Sequence, residues 1–318
     1  MNTERKNIIS FVIPCYRSEN TIAGVVDEIE KTISTSYTYE IILVNDCSPD
    51  NTYHVIKRLA LENRHVKAIN LLKNFGQASA IMAGLHHTMG DIIVCLDDDG
   101  QSPVDGLPML LEKIEAGYDL VYADYFEKKE SAFRLFGSKM NEAMMNVLLN
   151  KPKDIIVNSF FACTRVVVNE VLNYKSAFPY LPGLMLRTTR NIVNVKVNHR
   201  ERLEGESGYT LAKLLGLWLN GFTSFSVKPL RIAALIGVIF SFLGFVFLAV
   251  VIGRKLFDPT IQIGWTSLIS ITMFFDGLIL IVLGLIGEYV GRMYLCINST
   301  PQFVIRETVG FDNLENIE

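Results

Sequence analysis

Residues 232–253 carry no charged side chain, and residues 261–287 carry one, Asp276. Each stretch exceeds the ~20 apolar residues that cross the hydrocarbon core of a bilayer. A soluble core helix is seldom apolar around its whole circumference for that length. The connector "RKLFDPTIQ" is short, so the two stretches are expected to form a transmembrane hairpin within residues 229–295. Both flanks then share one side of the membrane. The large N-terminal part makes that side the cytoplasm, which describes a multi-pass protein of the inner (cytoplasmic) membrane. Lys228, Arg231 and Arg292 stand inside against Arg254 and Lys255 outside, the direction the positive-inside rule favours. A charge within a span costs roughly 2.5–3.5 kcal/mol on insertion scales. Asp276 therefore pairs across a homo-oligomer or between helices, or is protonated, and these alternatives stay open.

The N-terminal half has a different rhythm. "IISFVIP", "YEIILVN", "VKAINL", "DIIVCL" and "YDLVYA" read as strands. Between them the apolar spacing predicts helices over about 20–34, 51–63, 77–88 and 103–116. This βα repetition implies an α/β fold with a mostly parallel, doubly wound sheet. Residues 124–208 are less regular, with a basic segment "KKESAFRLFGSKMNEAMMNVLL", a helix expected around 183–190 and the strand-like "IVNVKVNHRER". The segment 209–228 is amphipathic and is expected to lie along the membrane surface, with Tyr209 and Trp218 as interface anchors. Residues 296–318 are expected to be a cytoplasmic tail. The apolar run in "MNTERKNIISFVIP" is too short for a signal peptide. A net charge of −3 leaves no polycation for nucleic acid. The five cysteines are scattered, without a CxxC or Cys/His cluster, and suggest neither zinc nor a disulfide framework.

In doubly wound sheets ligands sit beyond the carboxyl ends of the strands, and polar residues gather there. Pro14, Tyr16 and Glu19 follow the first strand, and Asn45, Asp46 and Ser48 the second. Asn74, Gly76 and Gln77 follow the third. The fourth ends in Asp97, Asp98 and Asp99. Three like charges at a buried strand end are tolerable when a cation neutralises them. Carboxylates suit Mg²⁺ or Mn²⁺, usually one or two of them together with substrate phosphates. Neither GxxxxGK[ST] nor GxGxxG after the first strand occurs, which argues against a P-loop and against dinucleotide redox chemistry.

"FVIPCYRSENTI", "EIILVNDCSPDNT", "NFGQASAIMAG" and "IIVCLDDDGQSP" resemble the inverting nucleotide-sugar glycosyltransferases of family 2. "HRERLEGESGYTLAKLL", "SFSVKPLR" and "GLIGEYVGRMY" resemble the polyisoprenyl-phosphate branch, similar to dolichol-phosphate mannose synthase, with a two-helix anchor. The resemblance runs from about residue 8 to about 305. It implies a GT-A (Rossmann-like) catalytic domain over residues 1–208, a nucleotide-sugar donor and a polyprenyl phosphate acceptor. Pro14, Tyr16 and Glu19 would hold nucleobase and ribose, with Asp46 a second contact on the base. Asp97 and Asp99 would be the outer acids of the DxD and the metal ligands, Asp99 the more direct of the two and a catalytic residue. Asp98 and Gln101 join the substrate-binding set. Arg202 and Ser207 would contact phosphate at the membrane face, where an Arg offers a forked grip. His199 lies three residues before Arg202, and the other histidines have no motif partner.

The chain departs from the pattern in places. Where the family often has GDFR, this chain reads "VNSFFACTR". Ser159 stands nearest the usual catalytic Asp and Phe161 takes the Arg position, so Ser159 is the catalytic candidate there and no general base is named. A phosphate monoester has a second pKa of ~6, so the acceptor attacks without giving up a proton and needs positioning and neutralised charge instead. Arg202, Lys128, Lys129, Arg134 and Lys139 could supply that, the last four being equally readable as a basic helix facing solvent or lipid headgroups. "QSPVD" replaces QDPPE and "YRSE" replaces YNE, changes that bear on donor preference. The expected activity is transfer of a sugar, UDP-linked by expectation, to undecaprenyl or a related polyprenyl phosphate for cell-envelope glycans. A non-processive transferase acting on a lipid-linked saccharide, or a catalytically silent scaffold of the same fold, are the alternatives.

Overall fold

The structure is a computed structural model that describes residues 8–33, 37–125, 152, 154–197, 230, 233–240, 242–244, 246, 264–298 and 300–311. Its centre is one eight-stranded sheet: β1 (Ile8–Cys15), β2 (Thr38–Asn45), β3 (Val66–Leu71), β4 (Ile92–Cys95), β5 (Leu120–Tyr125), β6 (Phe161–Thr164), β7 (Ile192–Val197) and β8 (Ile305–Val309). The strand order is β7-β5-β6-β4-β1-β2-β3-β8. β1, β2, β3 and β4 pair in parallel, as do β5 and β7, while β6 and β8 run against their neighbours. The sheet is the mostly parallel α/β sheet of a GT-A fold. β1 is apolar on both faces because helices cover both.

Helices α1 (Ile22–Thr32), α2 (Thr52–Glu62) and α4 (Leu107–Glu115) pack on one face. Each does so through a stripe at helical spacing, such as Ile22, Val25, Val26 and Ile29 in α1. On the other face lie α3 (Gln77–Leu85), α5 (Arg165–Leu172) and α6 (Leu181–Thr188). α3 approaches the sheet so closely that a Cβ at Gly84 would sit 2.4 Å from Val12 Cγ1. It ends three residues before the expected boundary. His87 N and Thr88 N turn back to the carbonyls of Gly84 and Leu85, and Gly90 is pressed against β1, where a Cβ would lie 2.7 Å from Ile8 O and Ser10 N.

The less regular middle of the sequence supplies β6, α5, α6 and β7. β6 enters the sheet between β5 and β4, so these two successive strands are not neighbours. The C-terminal stretch, expected to be a tail, contributes β8. Phe303, Ile305 and Phe311 pack over the β3 side, Leu72 N donates to Val304 O at 2.8 Å, and Lys57 of α2 pairs with Glu307. The strand covers an edge of β3 that would otherwise expose unpaired backbone groups.

Two apolar helices precede it, α7 (Ala233–Gly244) and α8 (Trp265–Ile297). Within α8, Phe274–Ile297 is long and apolar enough to cross a membrane, and none of it is buried among the described residues. The expected hairpin connector lies outside the described residues. So do the basic and interfacial candidates Lys128, Lys129, Arg134, Lys139, His199, Arg202, Ser207, Tyr209 and Trp218. Beyond α8 the chain is tied to the α/β domain: Gln302 Nε2 donates to Ser176 O at 2.9 Å, and the Phe303 ring meets the His86 ring at a tilt, centroids 5.6 Å apart.

Candidate active site

Four loops meet at the carboxyl edge of the sheet, and the acid triplet joins them. The triplet lies just beyond β4, and its side chains find different partners. Asp97 reaches toward the α3 side: its Oδ1 accepts from Gln77 Nε2 at 2.8 Å and its Oδ2 from Ser159 Oγ at 2.5 Å. Asp98 reaches toward α1, where its Oδ2 accepts from Tyr16 N at 2.9 Å and its carbonyl from Thr21 Oγ1 at 2.6 Å. Asp99 Oδ1 accepts from Gln101 N at 3.0 Å across a turn that Gly100 makes with φ 72°. The middle acid thus ties down the β1–α1 loop, while Asp97 bonds to Gln77 and Ser159 and Asp99 bonds within its own turn.

Burial separates their chemistry. Desolvation pushes the Asp98 carboxyl up to about 6, against the lowering effect of its hydrogen bonds. Tyr125, at the end of β5, is pushed up to about 12, first by burial and then by the charge of Asp97. Ser102 and Asn158 act against that rise, and the hydroxyl stands within electrostatic reach of both Asp97 and Asp99. Tyr125 and Asn158 escaped the sequence reading because nothing in "LVYADY" or "VNSFF" marks them; only the insertion of β6 beside β4 and β5 brings them to the acids.

Asp46 is buried, and its two oxygens accept from Phe75 N at 2.7 Å and Gly76 N at 2.8 Å. Burial raises its pKa and those two amides lower it, with a net rise. Its hydrogen bonds fix the β3–α3 loop, where Gly76 takes φ 90°. Asn45 Nδ2 bonds to Asn70 Oδ1 at 2.9 Å, joining β2 to β3 just below. The β1–α1 loop carries Tyr16, which is exposed, and Glu19, whose Oε2 accepts from Asn51 N at 2.8 Å. Pro14 is the penultimate residue of β1. Pro14, Tyr16, Glu19, Asp46, Asp97, Asp98, Asp99, Gln101 and Ser159 therefore belong to one edge.

The donor set suits a hard divalent cation in a particular way. Asp97 and Asp99 offer carboxylate oxygens just beyond β4, and both carboxylates act electrostatically on Tyr125. Among the described residues no group of three acids, histidines or cysteines could enclose a metal. Two carboxylates completed by substrate phosphates is the arrangement Mg²⁺ commonly takes, so the residues fit a cation that arrives with a phosphorylated ligand.

Residues 10–172, just over half of the chain, match the family described as "Glycosyl transferase family 2". The chain belongs to glycosyl transferase family 2. This glycosyltransferase is 34% identical over 309 residues to the uncharacterized glycosyltransferase YkcC of Bacillus subtilis (strain 168), covering 96% of this chain and 95% of that one. It is 32% identical over 311 residues to the undecaprenyl-phosphate 4-deoxy-4-formamido-L-arabinose transferase of Proteus mirabilis (strain HI4320), with the same coverage of each. Its fold is like that of glucosyl-3-phosphoglycerate synthase from Mycobacterium tuberculosis, crystallised with phosphoglyceric acid: TM-score 0.52 at 19% identity, covering 69% of this chain and 80% of that one.

Proposed function

We infer that this glycosyltransferase moves a sugar from a nucleoside diphosphate sugar, UDP-linked in our reading, to undecaprenyl phosphate or a closely related polyprenyl phosphate. The observation that carries this reading is the pairing of an acidic, phosphate-ready sheet edge with α8 in one chain. A 24-residue helical stretch apolar enough to cross a membrane, with none of it buried among the described residues, suits an acceptor held in a bilayer. The similarity to the undecaprenyl-phosphate transferase of Proteus mirabilis supports the acceptor, because it extends over 96% of this chain and so takes in α8.

The mechanism follows from the site. Tyr16 and Glu19 receive the nucleoside, and Asp46 shapes the loop beside it. Asp97 and Asp99 would hold Mg²⁺ or Mn²⁺ on the diphosphate. When bound, that cation would stabilise the negative charge of the departing nucleotide. The acceptor phosphate oxygen attacks the anomeric carbon in line, a carbon–oxygen bond forms, and the bond to the diphosphate breaks with inversion. The acceptor is ionised already, which is why a site with Ser159 beside Asp97 needs no further carboxylate as base. Ser159 and Gln77 orient Asp97. Arg202, Ser207 and the basic segment with Lys128, Arg134 and Lys139 would meet the lipid phosphate at the headgroup plane of the inner membrane.

Nucleotide binding tests the donor half. The reading predicts that UDP raises the melting temperature of the detergent-purified protein in the presence of Mn²⁺, and that EDTA and Asp99→Asn abolish the rise. No shift with UDP, GDP or any other nucleotide would indicate a silent scaffold.

A further inference from the structure

The β2–α2 loop holds an acid that no role above uses. Asp50 lies between Ser48 and Thr52. A single oxygen, Oδ1, accepts from Ser48 Oγ at 2.5 Å, from Thr52 Oγ1 at 2.7 Å and from Thr52 N at 3.2 Å. Burial raises the Asp50 pKa, but the hydrogen bonds from Ser48 and Thr52 outweigh it and hold the carboxyl below its ordinary value.

A hydroxyl has one proton and two lone pairs. With their protons committed to Asp50, Ser48 and Thr52 present lone pairs away from it, and both face the neighbouring loop. Arg17 N donates to Ser48 Oγ at 2.7 Å and Ser18 N to Thr52 Oγ1 at 2.9 Å. These are successive amides of the β1–α1 loop, at its tightest point. Arg17 has φ 59°, a left-handed conformation that only surrounding contacts can impose on a residue with a side chain. Cys47, in the facing loop, is the other non-glycine residue with positive φ among the described residues, at 51°. Two strained turns thus face each other, bridged by two hydroxyls that one carboxylate polarises. Thr52 and Ser18 are buried, so water does not readily replace these bonds. Tyr16 and Glu19 flank the two held amides.

We propose that Asp50 is the positioning residue of the donor site: through Ser48 and Thr52 it sets the Arg17–Ser18 backbone, and with it the placement of Tyr16 and Glu19 that receives the nucleoside. Asp50 itself touches no substrate. The assignment rests on the donor-site reading above and adds to it the residue that shapes the site.

The experiment compares wild type, Asp50→Ala, Asp50→Asn and Ser48→Ala in detergent, with UDP and Mn²⁺ for affinity by calorimetry, and with KM for donor and acceptor measured separately. In Asp50→Ala both hydroxyls lose their fixed orientation. Losing two directed amide bonds corresponds to a UDP affinity and a donor KM poorer by about tenfold, with kcat and acceptor KM within about twofold. Asp50→Asn keeps an Oδ1 acceptor and restores donor KM to within about threefold. Ser48→Ala removes only the oxygen that receives Arg17 N. It keeps the test decisive if Asp50→Ala does not fold, and is expected to weaken UDP by about threefold or more. Unchanged UDP affinity in the folded variants overturns the assignment, as does an equal rise of donor and acceptor KM. Wild-type binding separates the two levels: a wild type that binds UDP beside unaffected variants refutes only the role of Asp50, and a wild type that binds no nucleotide refutes the donor site and this role together.

Discussion

Asp98→Asn is expected to stabilise the protein, and to do so only above mildly acidic pH. The ordinary carboxyl value is near 3.8, and burial in the fold moves Asp98 to about 6. Between those values the unfolded chain releases its proton while the folded chain keeps it. Folding stability therefore falls as pH rises through that window, and the loss is complete above pH 6. A shift of about two units corresponds to about 3 kcal/mol at 1.36 kcal/mol per unit, an upper figure for a side chain that is only partly buried. An amide carries no charge, and its oxygen still accepts the 2.9 Å bond from Tyr16 N. Thermal unfolding in detergent with EDTA and no nucleotide, followed from pH 4 to pH 8, should show the variant melting about 5 °C or more above wild type at pH 7.5. The two should melt together at pH 4. A variant that melts at or below wild type at pH 7.5, or a difference independent of pH, would refute the reasoning. In the first case the folded protein would be stabilising the ionised Asp98 by more than its desolvation costs.

Further predictions concern the rest of the molecule. Glu40 is buried at the opposite edge of the sheet, where its Oε2 pairs with Lys67 Nζ at 2.7 Å and its Oε1 accepts from Ser10 Oγ at 2.5 Å and Met89 N at 2.6 Å. Glu40→Gln leaves Lys67 without its counter-charge and should cost about 3 kcal/mol in denaturant unfolding, with donor KM unchanged. Ser159→Ala removes the 2.5 Å bond to Asp97; it should raise the Mn²⁺ concentration needed for half-maximal turnover by about tenfold while leaving the melting temperature within about 2 °C. Both outcomes are read from the same purified proteins.

Much of the fold was legible in the chain because it follows from local periodicity. α1 and α2 lie within two residues of their expected ends, since their apolar stripes and strand neighbours are short-range signals. Asp97 and Asp99 stood out because mutually repelling acids after a buried strand call for a cation. What was hidden depends on contacts distant in sequence. β6 has four residues, and its place beside β4 is decided by packing of Phe161, Ala162 and Cys163, not by their own pattern. β8 alternates apolar and polar side chains weakly at a sheet edge, so it read as a tail. Asp98 was read as a substrate-binding residue between two metal ligands, and its bond from Tyr16 N emerges only once β1 lies beside β4. Asp50 drew no reading from the sequence; the hydroxyls it orients matter because the β1–α1 loop folds over them.

The central claim is sugar transfer to a lipid phosphate. Its most direct test is incubation of detergent-purified protein with Mn²⁺, undecaprenyl phosphate and a panel of radiolabelled UDP- and GDP-sugars, followed by extraction of the lipid. The account predicts label in the lipid from at least one donor, lost with EDTA and in Asp99→Asn. An unlabelled lipid from every donor, in a protein that binds UDP and passes the sugar to a saccharide instead, would contradict it.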